Sequence, residues 1–289
     1  TAIGGLAGDA ITTSGANTLL GYVAGSALDT AANGDENTAL GHAAMLASKG
    51  DSNVAVGYYA MATAGDNDHN TCVGYKAGTA LAGAPGNVLV GYKAGTAMTT
   101  GDYNVAIGYQ AADAMVGNSD SNVAIGSYAL TTEASGADYC VAIGYNALLV
   151  QNHADAINLA IGALAGDAIS TGTKNVLIGH EAGSTLATAH ATTAIGYNAL
   201  KLATGGENTA VGYLAGAEIA TGTFNTAVGT YSMANADGDE DNNTAVGWAA
   251  LYLLDNDAAS NNVAVGYNAG RYTTTGGAGT AVTQVINGV

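Results

Sequence analysis

Asn53-Val-Ala-Val-Gly-Tyr58 is one copy of a short motif that recurs along the whole chain and decides its fold. Close copies stand at 104–109, 122–126 and 208–213. Each copy contains one glycine, which we call the origin glycine, and successive origin glycines are 16 to 20 residues apart. A repeat of this length predicts a solenoid. The sixteen origin glycines are Gly4, Gly21, Gly41, Gly57, Gly74, Gly91, Gly108, Gly126, Gly144, Gly162, Gly179, Gly196, Gly212, Gly229, Gly247 and Gly266.

The residues around each origin glycine predict one short strand bounded by turns. Val, Ile or Leu precedes the glycine in all sixteen copies, Ala stands two before it in twelve, and Asn stands four before it in thirteen of fifteen. Stacked in register, these strands make an all-β fold, a parallel β-solenoid (β-roll) of about 16 coils with a 17–18-residue repeat. A coil of this length leaves room for two short strands and two turns. A leucine-rich-repeat horseshoe would need roughly 20–29 residues and a regular Leu ladder.

The repeat also predicts where the solenoid domain ends and how its core is filled. We expect the domain to span residues 1–279, with 280–289 forming a degenerate terminal repeat, a cap or a link. The fourth residue after the origin glycine is large in seven copies and Gly or Ala in nine. In eight of those nine copies, the residue three positions further is large. Because close-packed cores penalise both voids and extra side chains, both positions should reach one pocket.

The predicted strands are apolar on both faces. Side chains one and three residues before the origin glycine share a face. The residue one before is Val, Ile or Leu, and the residue three before is Thr, Val or Leu. Parallel sheets are normally covered on both faces. We therefore expect a homo-oligomer, most simply a closed ring of identical chains around the Val/Ile ladder.

Composition excludes several classes of function. The 289-residue chain carries 23 Asp and Glu against 6 Lys and Arg, a formal net charge of −17. This charge argues against nucleic-acid partners, whose binding depends on Lys and Arg. No stretch nears the roughly 18 apolar residues of a membrane span. Cys72 and Cys140 should stand four coils apart, about 19 Å at the strand spacing, and form no disulfide.

An aromatic ladder is the candidate binding surface. Tyr, His or Trp follows the origin glycine in most copies, and Tyr128 and Tyr231 come one residue later where Ser or Thr takes that place. A row of such rings could bind sugars, or it could simply pack along the stack. The Asn residues form a second ladder that suits turn geometry and amide stacking. The candidate surface-binding residues are Tyr22, Tyr58, Tyr75, Tyr92, Tyr109, Tyr145, Tyr197, Tyr213, Trp248 and Tyr267.

Metal binding and catalysis have little support in the sequence. Asp237, Asp239 and Asp241 are weak calcium candidates on an acidic loop, because calcium favours several oxygen ligands on turns. They lack a strict ligand spacing, and carboxylates also keep a β-rich surface soluble. The five histidines are scattered without a nucleophile or metal motif. We expect no enzyme and no cofactor beyond this calcium possibility.

The motifs resemble a known group of repeats. Asn-Val-Ala-Val-Gly at 53–57 and Asn-Thr-Ala-Val-Gly at 208–212 and 225–229 look like the head repeats of YadA-like trimeric autotransporter adhesins and the related repeats of bacteriophage tail-fibre proteins. The resemblance implies a homotrimer located extracellularly, on a cell surface or a virion, that contacts a host-surface glycan or receptor. The 17–18-residue repeat of this chain is longer than the repeats that it resembles, and an aromatic residue follows most of its origin glycines. The expected function is a structural fibre segment with an adhesive role; the alternative is a self-assembling extracellular filament subunit stacked end to end.

Overall fold

The computed structural model describes residues 1–13, 15–28, 34–63, 65–132, 136–236, 238–254 and 260–273. Within these ranges the chain is all-β and forms about 15 coils of parallel β-solenoid spaced by about 17 residues, close to the 16 coils predicted. The described part of the chain contains no helix that could cross a membrane. Two compact units are present, residues 1–145 with 152–155, and residues 146–151 with 156–289. The predicted boundary between 279 and 280 lies outside the described residues.

Nine short parallel strands form the sheet of the first unit. Each strand ends at the residue before an origin glycine, as the repeat predicts, and consecutive strands within the unit pair in register. Ala55, for example, lies opposite Cys72, and Cys72 lies opposite Leu89. The strands are β1 (Ala2–Ile3), β2 (Thr18–Leu20), β3 (Thr38–Leu40), β4 (Val54–Val56), β5 (Thr71–Val73), β6 (Val88–Val90), β7 (Val105–Ile107), β8 (Val123–Ile125) and β9 (Val141–Ile143).

The second unit repeats this arrangement and adds a small second sheet. Seven strands end before origin glycines: β10 (Leu159–Ile161), β11 (Val176–Ile178), β12 (Thr193–Ile195), β13 (Thr209–Val211), β14 (Thr226–Val228), β16 (Thr244–Val246) and β18 (Val263–Val265). The second sheet is parallel and contains β15 (Asn235–Ala236), β17 (Leu253–Leu254) and β19 (Tyr272–Thr273). Among the described residues these are the coils with a second strand, so three coils use the room for two strands that a coil of this length offers.

Backbone conformation makes the segment that directly follows each origin glycine a turn. The second and fourth residues after an origin glycine adopt left-handed φ, for example 56° at Lys76 and 57° at Gly78. Such residues cannot continue an extended strand. Their N–H groups still bond to neighbouring coils, from Lys76 back to the Tyr58 carbonyl and from Gly78 forward to the Ala94 carbonyl, both at 2.9 Å. The turn segments are therefore hydrogen-bonded along the stack as the strands are.

The three-residue strands have one inward and two outward side chains. In β4 the middle residue Ala55 is fully buried, while Val54 and Val56 are partly exposed. The same pattern holds in the strands from β4 to β6 and from β8 to β14. The predicted alternation is therefore confirmed. The core lies inside the coils, and the outward face of each sheet is uncharged.

Two side-chain arrangements fill one core volume, as predicted. Where the fourth residue after the origin glycine is large, as at Leu130, it is fully buried. Where it is Gly, the space is taken by the residue three further on. A Cβ added at Gly183 would stand 2.6 Å from Cδ1 of Leu186, and one added at Gly25 would stand 2.6 Å from Cδ1 of Leu28.

We expect Gly183→Leu and Leu186→Ala to compensate for each other. Gly183→Leu alone overpacks the core and should cost about 1–3 kcal/mol, whereas Leu186→Ala alone leaves a cavity and should cost about 2–5 kcal/mol. The backbone accepts the new leucine, since Leu200 has φ 50° at the equivalent position. Urea unfolding followed by circular dichroism should show the double variant at least about 1 kcal/mol more stable than additivity predicts. Strict additivity would contradict a shared pocket.

The two cysteines are unbridged thiols, as predicted. Cys72 is the middle residue of β5, and Cys140 directly precedes β9; both are buried. Burial raises the pKa of the Cys72 thiol to about 12. Since the thiolate is the reactive form, Cys72 is chemically inert at neutral pH.

Candidate functional site

The aromatic ladder forms a row in the first unit that is exposed and stacked from Tyr58 to Tyr109. Tyr58, Tyr75, Tyr92 and Tyr109 have ring centroids 5.0–5.4 Å apart and interplanar angles of 5–8°. Their side chains are between 39% and 45% exposed. Nζ atoms of two lysines, Lys76 and Lys93, lie 5.5 and 5.6 Å from the nearest of these ring centroids. The row in this unit consists of Tyr22, His42, Tyr58, Tyr75, Tyr92, Tyr109, Tyr128 and Tyr145.

Stacking limits what this row can bind. Each interior ring, such as Tyr75 or Tyr92, is covered on both faces by its neighbours at about the coil spacing. A sugar ring that stacks on an aromatic needs one open ring face. The parallel part of the row therefore presents ring edges and hydroxyls, which suits packing along the solenoid better than flat sugar contacts.

The row in the second unit changes orientation at Tyr231. His180, Tyr197 and Tyr213 stack with interplanar angles of 11–13°. Tyr231, one residue later in its repeat, stands edge-on to Tyr213 at 86° and to Trp248 at 87°. Trp248 then stacks on Tyr267 at 13°. Placing the aromatic residue one position later thus keeps the row continuous, but the Tyr231 ring lies across the row.

A cavity opens beside this turned ring. It measures about 250 Å³ and is lined by Tyr231, Trp248, Ala249, Tyr252 and Arg271. Cζ of Arg271 lies 5.4 Å from the ring centroids of Trp248 and Tyr252. Sequence reasoning included Trp248 and Tyr231 in the ladder but missed Ala249, Tyr252 and Arg271. Tyr252 and Arg271 share one sequence signal, because each is the fifth residue after an origin glycine.

The Asn ladder is buried and joins consecutive coils. Oδ1 of Asn104 accepts a 2.9 Å hydrogen bond from the backbone N–H of Asn122, one coil further on, and Nδ2 of Asn104 donates to the Ser119 carbonyl at 2.7 Å. Nδ2 of Asn122 also donates to Oδ1 of Asn104 at 3.1 Å, so the expected amide stacking is present. Asn104 and Asn122 are each 1% exposed. The ladder is therefore structural and turned away from any ligand.

A third ladder, which sequence reasoning missed, occupies the sixth residue before the origin glycine. At this position a side-chain atom accepts a hydrogen bond from the backbone N–H of the equivalent residue one coil earlier. Oδ1 of Asp68 accepts from Asp51 at 2.8 Å, and Oδ1 of Asp138 accepts from Asp120 at 2.7 Å. Six of the seven aspartates at this position act as turn acceptors: Asp35, Asp51, Asp68, Asp120, Asp138 and Asp241.

Histidine and serine also serve in this third ladder. Nδ1 of His190 accepts the backbone N–H of Thr173 at 3.1 Å and lies 2.9 Å from the Thr173 hydroxyl oxygen. Oγ of Ser260 accepts the N–H of Asp241 at 3.0 Å. The Thr173–His190 hydrogen bond is therefore the same coil-to-coil bond that the aspartates make at this repeat position.

Asp102 is an exception in this ladder. Its equivalent one coil earlier is Pro85, which has no N–H to donate, and Oδ1 of Asp102 is buried without a hydrogen-bond partner among the described residues. Burial and the nearby charge of Asp120 raise the pKa of Asp102. Pro85 offers no N–H to this carboxylate, whereas Asp68 and Asp138 each receive one.

Of the three weak calcium candidates, the structure describes Asp239 and Asp241. Oδ1 of Asp241 accepts hydrogen bonds from the backbone N–H of Thr223 at 2.7 Å and from its hydroxyl at 2.9 Å. Asp237 lies outside the described residues. Within the described ranges, no group of three or more His, Cys, Asp or Glu side chains could hold a metal ion.

Comparison with known proteins adds no family assignment. No protein-family model matches this chain, and no curated protein matches it. The features that bear on function are therefore geometric: the uncharged outward strand face, the exposed aromatic row, and the cavity beside Arg271.

Proposed function

We propose that this chain is a structural segment of an extracellular homotrimeric fibre with an adhesive role on a cell surface or a virion. The outward strand face carries the proposal. Its side chains are Thr, Val or Leu at the first strand position and Val, Ile or Leu at the third, with no charged residue in any strand that ends before an origin glycine. The similarity of the repeats to trimeric adhesin heads and phage fibres supports three copies.

Covering this face supplies a driving force for assembly. Val263 and Val265 of β18 are 44% and 55% exposed, and Leu20 of β2 is 43% exposed. Burying such side chains against a second copy stabilises association by about 25 cal/mol per Å² of apolar surface. The net charge of −17 opposes association, and an uncharged contact face keeps the acidic turns apart.

Multivalent presentation explains how such a segment would adhere. The coils repeat the same backbone pattern, and their exposed aromatic side chains stand at regular intervals within each unit. Three chains side by side present three such rows at once. Linked weak contacts of this kind raise avidity well above the affinity of each contact.

Val88→Glu/Val90→Glu in β6 should convert the assembly to monomers. The two carboxylates would face their own equivalents in each partner copy, where burial of unpaired charge is costly. Sedimentation equilibrium should give three times the chain mass of 28.2 kDa for the parent protein and one chain mass for the variant. The control Tyr103→Glu/Val116→Glu adds the same charge at exposed positions outside the strands and should remain trimeric. A monomeric parent protein would overturn the proposal.

A further inference from the structure

We propose that the cavity lined by Tyr231, Trp248, Ala249, Tyr252 and Arg271 binds a carboxylated sugar, such as the uronic acid unit of an acidic polysaccharide. This inference deepens the adhesive part of the proposed function and rests on that function for its biological meaning. The cavity itself is formed by residues of the second unit within one chain.

The cationic group is set among aromatic rings. Cζ of Arg271 lies 5.4 Å from the Trp248 centroid, 5.4 Å from the Tyr252 centroid and 5.2 Å from the Tyr272 centroid. Contacts to ring faces hold a guanidinium in place and leave the N–H groups at its edge as donors. Nε of Arg271 is buried without a hydrogen-bond partner among the described residues. A buried donor of this kind favours a ligand that supplies an acceptor.

Arg271 places a positive charge in a cavity of an otherwise acidic chain. Arg271 is the single arginine of the chain, and Trp248 is its single tryptophan. None of the five described residues that line the cavity is acidic, although the chain carries a formal charge of −17. A guanidinium matches the two oxygens of a carboxylate with parallel hydrogen bonds. A monoanionic carboxylate also meets less repulsion from the acidic chain than a doubly charged phosphate would.

The walls of the cavity suit a single sugar ring. Tyr231 stands edge-on to Trp248 at 87° and to Tyr252 at 75°, with centroids 6.2 Å apart in both pairs, so these rings do not cover one another as Tyr75 and Tyr92 do. An aromatic wall offers apolar surface to the C–H face of a sugar, and phenol hydroxyls bond to its alcohols. The volume of about 250 Å³ is below the ~300 Å³ at which drug-sized clefts begin.

Fluorescence of Trp248 tests the proposal directly, because no other tryptophan contributes to the signal. The purified chain is titrated with trigalacturonic acid at constant ionic strength. We expect a saturable change in intensity or emission maximum. Maltotriose, which lacks the carboxylates, and acetate, which lacks the ring, should each bind at least tenfold more weakly.

Matched variants identify the group responsible. Arg271→Gln should weaken trigalacturonic acid binding at least tenfold, and Arg271→Lys, which keeps the charge but not the planar fork, should give an intermediate loss. Lys174→Gln removes one positive charge at an exposed position elsewhere in the same unit and should bind as the parent does. Circular dichroism confirms that each variant is folded.

Any of three results overturns the carboxylated-sugar site: no saturable response to trigalacturonic acid, an equal response to maltotriose, or an unchanged response in Arg271→Gln. The binding result is separable from the assembly result. A monomeric chain that binds trigalacturonic acid would refute the trimeric fibre and leave the sugar site standing. A trimer that does not bind it would refute the sugar site and leave the fibre standing.

Discussion

Gly91→Ala is expected to lower the free energy of unfolding by at least about 4 kcal/mol, an effect at the extreme of single substitutions. A Cβ at Gly91 would stand 2.1 Å from the carbonyl oxygen and 2.7 Å from the carbonyl carbon of Gly108 in the next coil. These are backbone atoms, so relief requires the two coils to separate. The φ of +143° at Gly91 adds strain for any residue with a Cβ. Thermal unfolding followed by circular dichroism measures the loss.

Gly83→Ala separates strain from steric overlap. Gly83 also has positive φ, at +89°, but a Cβ added there would have no heavy atom within 4 Å. The control should cost only about 1–2 kcal/mol, the strain of a left-handed or neighbouring conformation. If both variants lost the same stability, the close approach of consecutive coils would not be what makes glycine necessary at the origin position.

The sequence predicts the strands because every coil repeats one pattern. It identifies each origin glycine as a turn residue, but it does not show that the glycines of successive coils touch. In the structure, a Cβ at Gly57 would stand 2.3 Å from the Gly74 carbonyl oxygen. That contact depends on how tightly coils stack at this corner, which a one-dimensional pattern does not contain. The same stacking explains why the turn segments need no second strand: their N–H groups already have partners.

The third ladder could not be read from residue types. Its acceptors are aspartate, histidine or serine, as at Asp68, His190 and Ser260, because any side-chain acceptor of suitable length can receive the N–H. A search for one repeated residue therefore misses it. The cavity beside Arg271 was missed for a different reason. Its arginine occurs once, so no periodicity marks it, and its neighbours come together only through the stacking of coils.

The aromatic ladder was predicted as a row, but the orientation of its rings was not. Stacked rings, as between Tyr75 and Tyr92, cover each other, whereas Tyr231 stands across the row. The difference arises from one residue of offset after the origin glycine at Thr230. Sequence position thus predicts which aromatics join the row, and side-chain geometry decides which of them can receive a ligand.

Asn104→Ala is the second substitution for which we expect a large loss, about 3–5 kcal/mol in the free energy of unfolding. The change removes the acceptor for the N–H of Asn122 and the donor to the Ser119 carbonyl. Each buried polar group left unpaired costs about 1–3 kcal/mol. Urea unfolding followed by circular dichroism measures the difference. Asn118→Ala is the matched control: Oδ1 of Asn118 accepts only an exposed 2.8 Å bond from Thr100, so its loss should stay within about 0.5 kcal/mol.

Asn104→Asp distinguishes the donor from the acceptor. Aspartate keeps the acceptor for Asn122, but it can donate to the Ser119 carbonyl only when protonated. Its folded pKa should therefore rise above the unfolded value of about 3.9. Because the folded state then binds the proton more tightly, the deficit relative to the parent should be smallest below about pH 4 and grow as the pH rises.

The ladder itself shows which bond these variants remove. At Cys140 the Asn position holds another residue, yet the backbone N–H still donates to Oδ1 of Asn122 at 2.8 Å. Each asparagine therefore supports the coil that follows it, while its own N–H depends on the coil before, as at 2.8 Å between Asn104 and Asn87. Amide exchange in Asn104→Ala should accelerate at Asn122 and stay slow at the backbone N–H of residue 104. Equal acceleration at both amides, or a pH-independent deficit in Asn104→Asp, would show that the amide acts only by filling space.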